Sequence, residues 1–312
     1  VGIDLDLDDG TRPVVTEICR RLDGLPLAIE LAANRLTSMR LDEIRDGLTR
    51  STRLLSGGRR AVPRHRSIAA ALAWSVDLLD ESHRDLLTAA AAFSSPFDTT
   101  DVASVASVAG LPGPDVAQML TDLVDRSLVH RVEDRFALLE PVRQFVDDVT
   151  VDDRDRRDRS HRHAQRMGER IDEIALELRS PTALDAVDRT RTLVADARSA
   201  FRHALDVGDL DLAARLCTSV RDAAFHALIP EPLTWAVDAA VTASRSAHPS
   251  APALHAVAAV GAWTSGDVET ARRTLDAGLR SATDLGIDPP FLLLEGYGTV
   301  DGVTGRFTES IA

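Results

Sequence analysis

The sequence predicts a mainly α-helical protein assembled from several small units, and three features carry that expectation. Apolar residues recur at helical spacing over most of the chain. Alanine is abundant while aromatics make up only 4% of the 312 residues, which suits closely packed helices better than a β-sandwich. Single glycines and prolines punctuate the periodic stretches as turns do. The length exceeds one comfortable core, so more than one domain is expected.

Composition narrows the function classes. A formal charge of −13 argues against broad binding of nucleic acid or an anionic membrane by the whole chain. No run approaches the ~20 apolar residues that a membrane helix needs, and the start does not resemble a signal peptide. Cys19 and Cys217 sit among apolar helical positions, which suits reduced thiols and a cytoplasmic protein. All 36 basic residues are arginine. Without lysine the chain can supply neither the phosphate-binding Lys of a Walker A loop nor a Schiff base. It carries no Gly-x-Ser-x-Gly elbow and no metal-ligand spacing, so neither enzyme activity nor a metal is expected of these residues alone.

Taken in order, residues 1–10 read as an acidic loop, and Thr11 as the cap of a helix with Pro13 in its first turn. Val14, Val15, Ile18, Cys19 and Leu22 mark its apolar face. Gly24 suits a left-handed helix end and Pro26 the first position of the next helix, 26–37, in which Leu27 and Leu31 pack. A short helix follows at 41–48. Between Asp46 and Asp77 there is no acidic residue but six arginines: Arg50, Arg53, Arg59, Arg60, Arg64 and Arg66. These could meet phosphate or an acidic partner, or pair as a solvated linker with the chain's own excess acid. A helix over Ser67–Leu79 comes next.

Residues 82–148 have the order of a winged helix. Ser82 caps a helix to Phe93, Thr100 caps a second to about Ala109, and a Leu-Pro-Gly-Pro break leads to a third at Asp115–Arg126. Two short strands flank Glu133-Asp134 as a wing, and a last helix starts near Pro141. The third helix shows Asp115, Asp122 and Asp125 against a single Arg126. Carboxylates would be repelled by a phosphate backbone, so direct DNA reading by this unit is disfavoured.

From Val151 to Arg170 seven arginines interleave with acids, which reads as a solvated linker helix laced with i,i+4 pairs. His161 and His163, two apart on a helix, point to different sides and should not share a metal. Helices are then expected at about 193–207, 209–227, 231–245, 251–264, 267–284 and 290–304, with another from 306. Gly266-Asp-Val-Glu-Thr-Ala271 with Gly278-Leu279 resembles the second helix of a tetratricopeptide repeat. Ala259, Ala271, Gly278 and Gly298 fall where such helices touch. Stacked pairs of this kind present a concave face to a peptide or another domain.

Four segments, Gly24-Leu25-Pro26-Leu27, Leu72-Ala-Trp-Ser-Val-Asp-Leu-Leu79, Asp122-Leu-Val-Asp-Arg-Ser-Leu-Val129 and Leu138-Leu-Glu-Pro-Val-Arg-Gln-Phe145, together resemble the NB-ARC type of STAND signal-transduction ATPases, in particular AfsR- and LuxR-like bacterial regulators. The resemblance implies a helical lid subdomain over 1–58, a winged helix over 59–150, a charged helical linker over 151–190 and repeats over 191–312. It implies that Gly24, Leu25, Pro26 and Leu27 lie on the adenine side of ATP or ADP held mainly upstream, with proline offering a flat apolar surface. Many members carry a Met-His-Asp sensor that touches the ADP β-phosphate. Here those positions are Leu138, Leu139 and Glu140, and leucine can neither donate to phosphate nor change charge, so that contact is absent. The family reading further implies an upstream nucleotide-binding domain, a protein or small-molecule signal received by the repeats, and self-association that depends on nucleotide. The plainer reading leaves a helix–turn–helix corner and a nucleotide-independent scaffold.

Overall fold

A computed structural model of the chain describes residues 8, 10–22, 24–55, 63–106, 113–149 and 153–305. The protein is mainly α, and the described residues contain one two-stranded sheet. It divides into two compact units, Val1–Arg159 and Ser160–Ala312.

The first unit opens with α1 (Thr11–Arg21), α2 (Pro26–Ala33) extended by a 3-10 turn at Asn34–Thr37, α3 (Leu41–Leu55) and α4 (Pro63–Asp77). Ile18, Leu22, Leu31, Ile44, Leu48, Leu72 and Trp74 are buried and form its apolar interior. Helices α3 and α4 meet at a glycine: a Cβ on Gly47 would lie 2.7 Å from Cε2 of the Trp74 ring. The third helix runs about two turns beyond the expected 41–48, while the second tightens to 3-10 geometry at Asn34. Of the six-arginine stretch, Arg59 and Arg60 lie outside the described residues, and so do the side chains of Arg50, Arg53, Arg64 and Arg66.

The winged helix follows as α5 (Glu81–Ala90), α6 (Thr99–Val105), α7 (Gly113–Asp125), β1 (His130–Val132), β2 (Arg135–Ala137) and α8 (Glu140–Val149). The strands pair antiparallel with Arg131 opposite Phe136. Phe136 also pairs with Phe97, each N–H donating to the other's carbonyl at 2.8 Å, so a third extended segment joins the wing. The Phe97 ring stacks on Phe136 at 6.4 Å and packs tilted against Phe93 at 5.2 Å.

Three helix starts differ from the sequence expectation, each through an aspartate. Asp80 and Asp98 cap α5 and α6 in place of Ser82 and Thr100, while α1 has Gly10 at its N-cap and Asp8, two residues earlier, takes up the first N–H groups. Asp8 Oδ1 accepts from Gly10 N and Thr11 N, and Asp80 from His83 N at 2.9 Å. A carboxylate makes a charge-assisted bond to orphan N–H groups and complements the helix dipole, which a hydroxyl cannot match. At α6, Asp98 and Asp101 form a reciprocal capping box.

Helix α9 (Asp153–Glu177) contains the division between the units at Arg159. The solvated linker expected here needs correction. Arg159 is buried, donating to Thr88 O at 2.9 Å and pairing with Asp147. Farther along, Ala164, Met167, Ile171 and Ile174 are buried as well. Interleaved charges had hidden an apolar stripe at 164, 167, 171 and 174, the i, i+3, i+7 spacing of a packed face.

The second unit continues with α10 (Ala183–Val207), α11 (Leu210–Ala227), α12 (Glu231–Arg245), α13 (Ala251–Thr264), α14 (Val268–Leu285) and α15 (Phe291–Thr304). Each packs on the next, and α11, α13 and α15 also touch as a row. This is a helical solenoid. Helix α10 begins ten residues before the expected start, whereas the next five match to within a residue or so. Gly208, Gly266, Gly286 and Gly305 all take positive φ in the turns, as glycine alone does freely. Gly278 is a true close contact: a Cβ there would lie 2.7 Å from Leu293 Cδ1 and 2.9 Å from His255 Cβ. Gly298 is not, because nothing lies within 4 Å; Gly296 takes that role against Leu275 at 2.7 Å. The helix expected from 306 lies outside the described residues.

Candidate functional site

At the α1–α2 corner, Gly24 has φ +67°, and the chain reverses through Gly24 N to Cys19 O and Leu25 N to Leu22 O, both 3.0 Å. Leu25 is the N-cap of α2 and Pro26 its first residue, where the missing N–H costs no hydrogen bond. Pro26 is exposed, with Leu25 and Leu27 half-buried beside it. The corner thus presents a rigid ring to the outside rather than burying it.

One turn farther, α2 is fastened to the end of α7. Ser127 donates its hydroxyl to Glu30 Oε1 at 2.8 Å and accepts from Asn34 Nδ2 at 2.6 Å. Ser127 itself sits at φ +56°, a left-handed conformation that costs an L residue about 1 kcal/mol or more. Arg35 is only 6% exposed and donates Nη2 to the carbonyl of Ser75 at 3.2 Å. Its burial, and then the neighbouring Arg126 charge, push the guanidinium pKa below its usual value. A buried cation needs such a partner, because burying a charge without one is costly.

The two sensor-position candidates lie apart from this link. Leu139 is 42% exposed, and its carbonyl accepts from Val142 N and Arg143 N at the start of α8. The Glu140 carboxylate is taken up by Arg143 at 2.7 Å and Gln144 at 2.6 Å on its own helix. Arg143 chiefly holds that carboxyl below its ordinary pKa. Sequence reasoning therefore located the corner but missed Glu30, Asn34, Arg35 and Ser127. Arg35 was legible as the third member of the Leu27, Leu31 stripe, an arginine on an apolar helix face. The left-handed Ser127 carried no such signal.

Among the described residues of α7, Asp115, Ala117, Gln118 and Asp125 are exposed. Asp122 accepts from Gln118 Nε2 at 2.9 Å and lies 3.3 Å from His83 Nε2 on α5. At the wing, Arg131 lies over the Phe136 ring at 5.1 Å, and Arg135 faces Asp98 and Asp101 at 3.7 and 3.6 Å. The wing cations Arg131 and Arg135 are thus occupied by protein groups, while Arg126 follows the end of α7.

Among the described residues no group of three or more His, Cys, Asp or Glu is arranged to hold a metal, and no helix is long and apolar enough to cross a membrane. His163 faces the buried Asp196 at 3.5 Å, while His161 lies near His203.

Residues 79–149 match the family described as a winged helix-turn-helix domain. This stretch is a winged helix-turn-helix domain. The chain is 38% identical over 232 residues to candidate HTH-type transcriptional regulators of Mycobacterium bovis and Mycobacterium tuberculosis. That similarity takes in 71% of this chain but 26% of each regulator. An uncharacterized Mycobacterium tuberculosis protein is 36% identical over 152 residues, covering 47% of the chain and 39% of that protein. In the crystal structure of a STAND protein with a tetratricopeptide repeat sensor from Pyrococcus horikoshii, 44% of the chain aligns with 89% of this one at 14% identity and a TM-score of 0.35. A likeness at that level carries no argument about function.

Proposed function

We propose that this chain is the regulatory part of a nucleotide-dependent transcriptional regulator. The α1–α2 corner and the winged helix close together on ATP or ADP held mainly by an upstream domain, and the solenoid receives a ligand or protein partner. The observation that carries this reading is the join between α2 and the end of α7. Pro26 stands exposed at the start of a helix whose Glu30 and Asn34 hold Ser127 of the winged domain. A base resting on Pro26 would therefore act on the winged helix through a single helix. Hydrolysis, if the parent performs it, uses groups outside these lysine-free residues.

The winged helix in this reading is a coupling element. Its α7 exposes carboxylates, and Arg131 and Arg135 are engaged with Phe136, Asp98 and Asp101, which leaves that surface poorly suited to a phosphate backbone. DNA contact by the whole regulator then belongs to another segment. The test is ATP affinity of the protein extended upstream, with Pro26 intact and as Pro26→Ala. An adenine-side role predicts about tenfold weaker binding, the loss of roughly 1.4 kcal/mol. Equal affinity removes that role and favours the nucleotide-independent scaffold.

A further inference from the structure

We propose that the cavity framed by α11, α13 and α15 binds a small organic cation with a single-ring apolar body. The proposal deepens the reading of the solenoid as the receiving part and rests on it.

The cavity measures about 180 Å³. For comparison, an apolar protein cavity of ~150 Å³ accepts one benzene ring, so the space fits a ring and a short substituent. One wall is aromatic. Phe225 and Trp263 stack at 5.9 Å with 23° between their planes, and Phe225 remains 38% exposed. Ala259, Gly296 and Val300 keep the floor small and apolar.

Charge decides the ligand class. Among the described residues, the charged groups on the lining are Arg221, Asp222 and Glu295. The Arg221 side chain is 12% exposed and donates Nη1 to Glu295 Oε2 and Nε to Asp222 Oδ1, both at 2.8 Å. One guanidinium is thus shared between two carboxylates, each of which keeps a second oxygen outside these bonds. The site is net negative. The Thr299 hydroxyl already donates to the Glu295 carbonyl at 3.0 Å, so it is committed away from an incoming anion. Aromatic faces attract cations as well. Carboxylate oxygens and a ring shelf facing the same small volume favour an ammonium or amidinium group joined to a ring. The same ring pair also borders an apolar cavity of about 590 Å³ lined by Leu228, Ile229 and Leu233, which would take an apolar extension of such a ligand.

The test is calorimetric titration of the 312-residue chain with benzylammonium, benzyl alcohol and benzoate, three probes that differ in charge on one ring. The proposal expects saturable 1:1 binding of benzylammonium, about tenfold tighter than benzyl alcohol, and no binding of benzoate. Glu295→Gln should erase the preference for the cation while leaving benzyl alcohol unchanged. Thr299→Phe, at an exposed rim position, should block both. Circular dichroism and the unfolding midpoint of each variant check that the solenoid is intact. Benzoate binding as tightly as benzylammonium, a cation preference that survives Glu295→Gln, or no saturable binding by any probe would overturn it. The titration uses neither nucleotide nor upstream residues, so its failure is distinct from failure of the Pro26→Ala comparison.

Discussion

Replacing Ser127 separates two effects that the structure superimposes at one residue. Ser127→Ala removes the hydrogen bonds to Glu30 and from Asn34. Each bond is worth about 1 kcal/mol net, and water can replace the exposed Glu30 partner, so the combined cost should be about 1.5 kcal/mol. Alanine keeps the left-handed backbone at φ +56°. Ser127→Gly loses the same bonds but relieves about 1 kcal/mol of that strain, which leaves a net cost near 0.5 kcal/mol. The glycine variant should therefore be the more stable of the two, against the usual order on a protein surface. Urea unfolding of both variants, together with a double-mutant cycle through Asn34→Ala, measures this. The cycle should return a coupling of about 1 kcal/mol between Asn34 and Ser127. Coupling below ~0.3 kcal/mol, or alanine more stable than glycine, would mean that α2 and the α7 turn are merely adjacent.

Further outcomes are expected elsewhere. Gly278→Ala, forced against Leu293 and His255, should destabilise by about 1–3 kcal/mol. Gly298→Ala, open to solvent in the same solenoid, should stabilise by up to about 1 kcal/mol, and the two unfolding midpoints should move in opposite directions. Burial pushes the Cys217 thiol up to about 12, so a disulfide reagent at pH 8 should titrate one thiol per native chain, that of half-buried Cys19. Burial, followed by Arg280, holds His255 below its ordinary 6.5; burial, followed by His161, does the same at His203. The native state then binds fewer protons than the unfolded state just below pH 6.5, so stability is full above that pH and falls as the pH drops through it. The urea midpoint should decrease between pH 7.5 and 5.5, and His255→Gln should flatten the decrease.

The parts of the fold that were legible in the sequence are those governed by local rules. Helical spacing with single glycine breaks located α11 to α15, because each turn needs one residue at positive φ and the chain supplies a glycine or a tolerated substitute there. The Gly24-Leu25-Pro26 corner was equally plain, since glycine and proline each fix one side of a helix junction. Charge patterning misled where burial depends on distant partners. The Asp147 carboxylate and Thr88 carbonyl that draw Arg159 inward cannot be read from α9 itself. At α5 and α6 an aspartate and a hydroxyl residue compete for the cap two positions apart, and the sequence alone does not decide between them. Of the candidate site, the corner was readable, whereas the link at Ser127 joins residues 93 and 97 positions apart and is fixed only by tertiary packing. The α11–α13–α15 cavity has the same origin: Arg221 and Glu295 lie 74 residues apart.

Amide hydrogen exchange of the protein extended upstream, with and without ATP, tests the central claim most directly. If the corner closes on nucleotide and transmits through Ser127, ATP should slow exchange both in α2 and in residues 126–129. ATP that binds upstream and leaves both segments unchanged would show that these residues take no part in the nucleotide response.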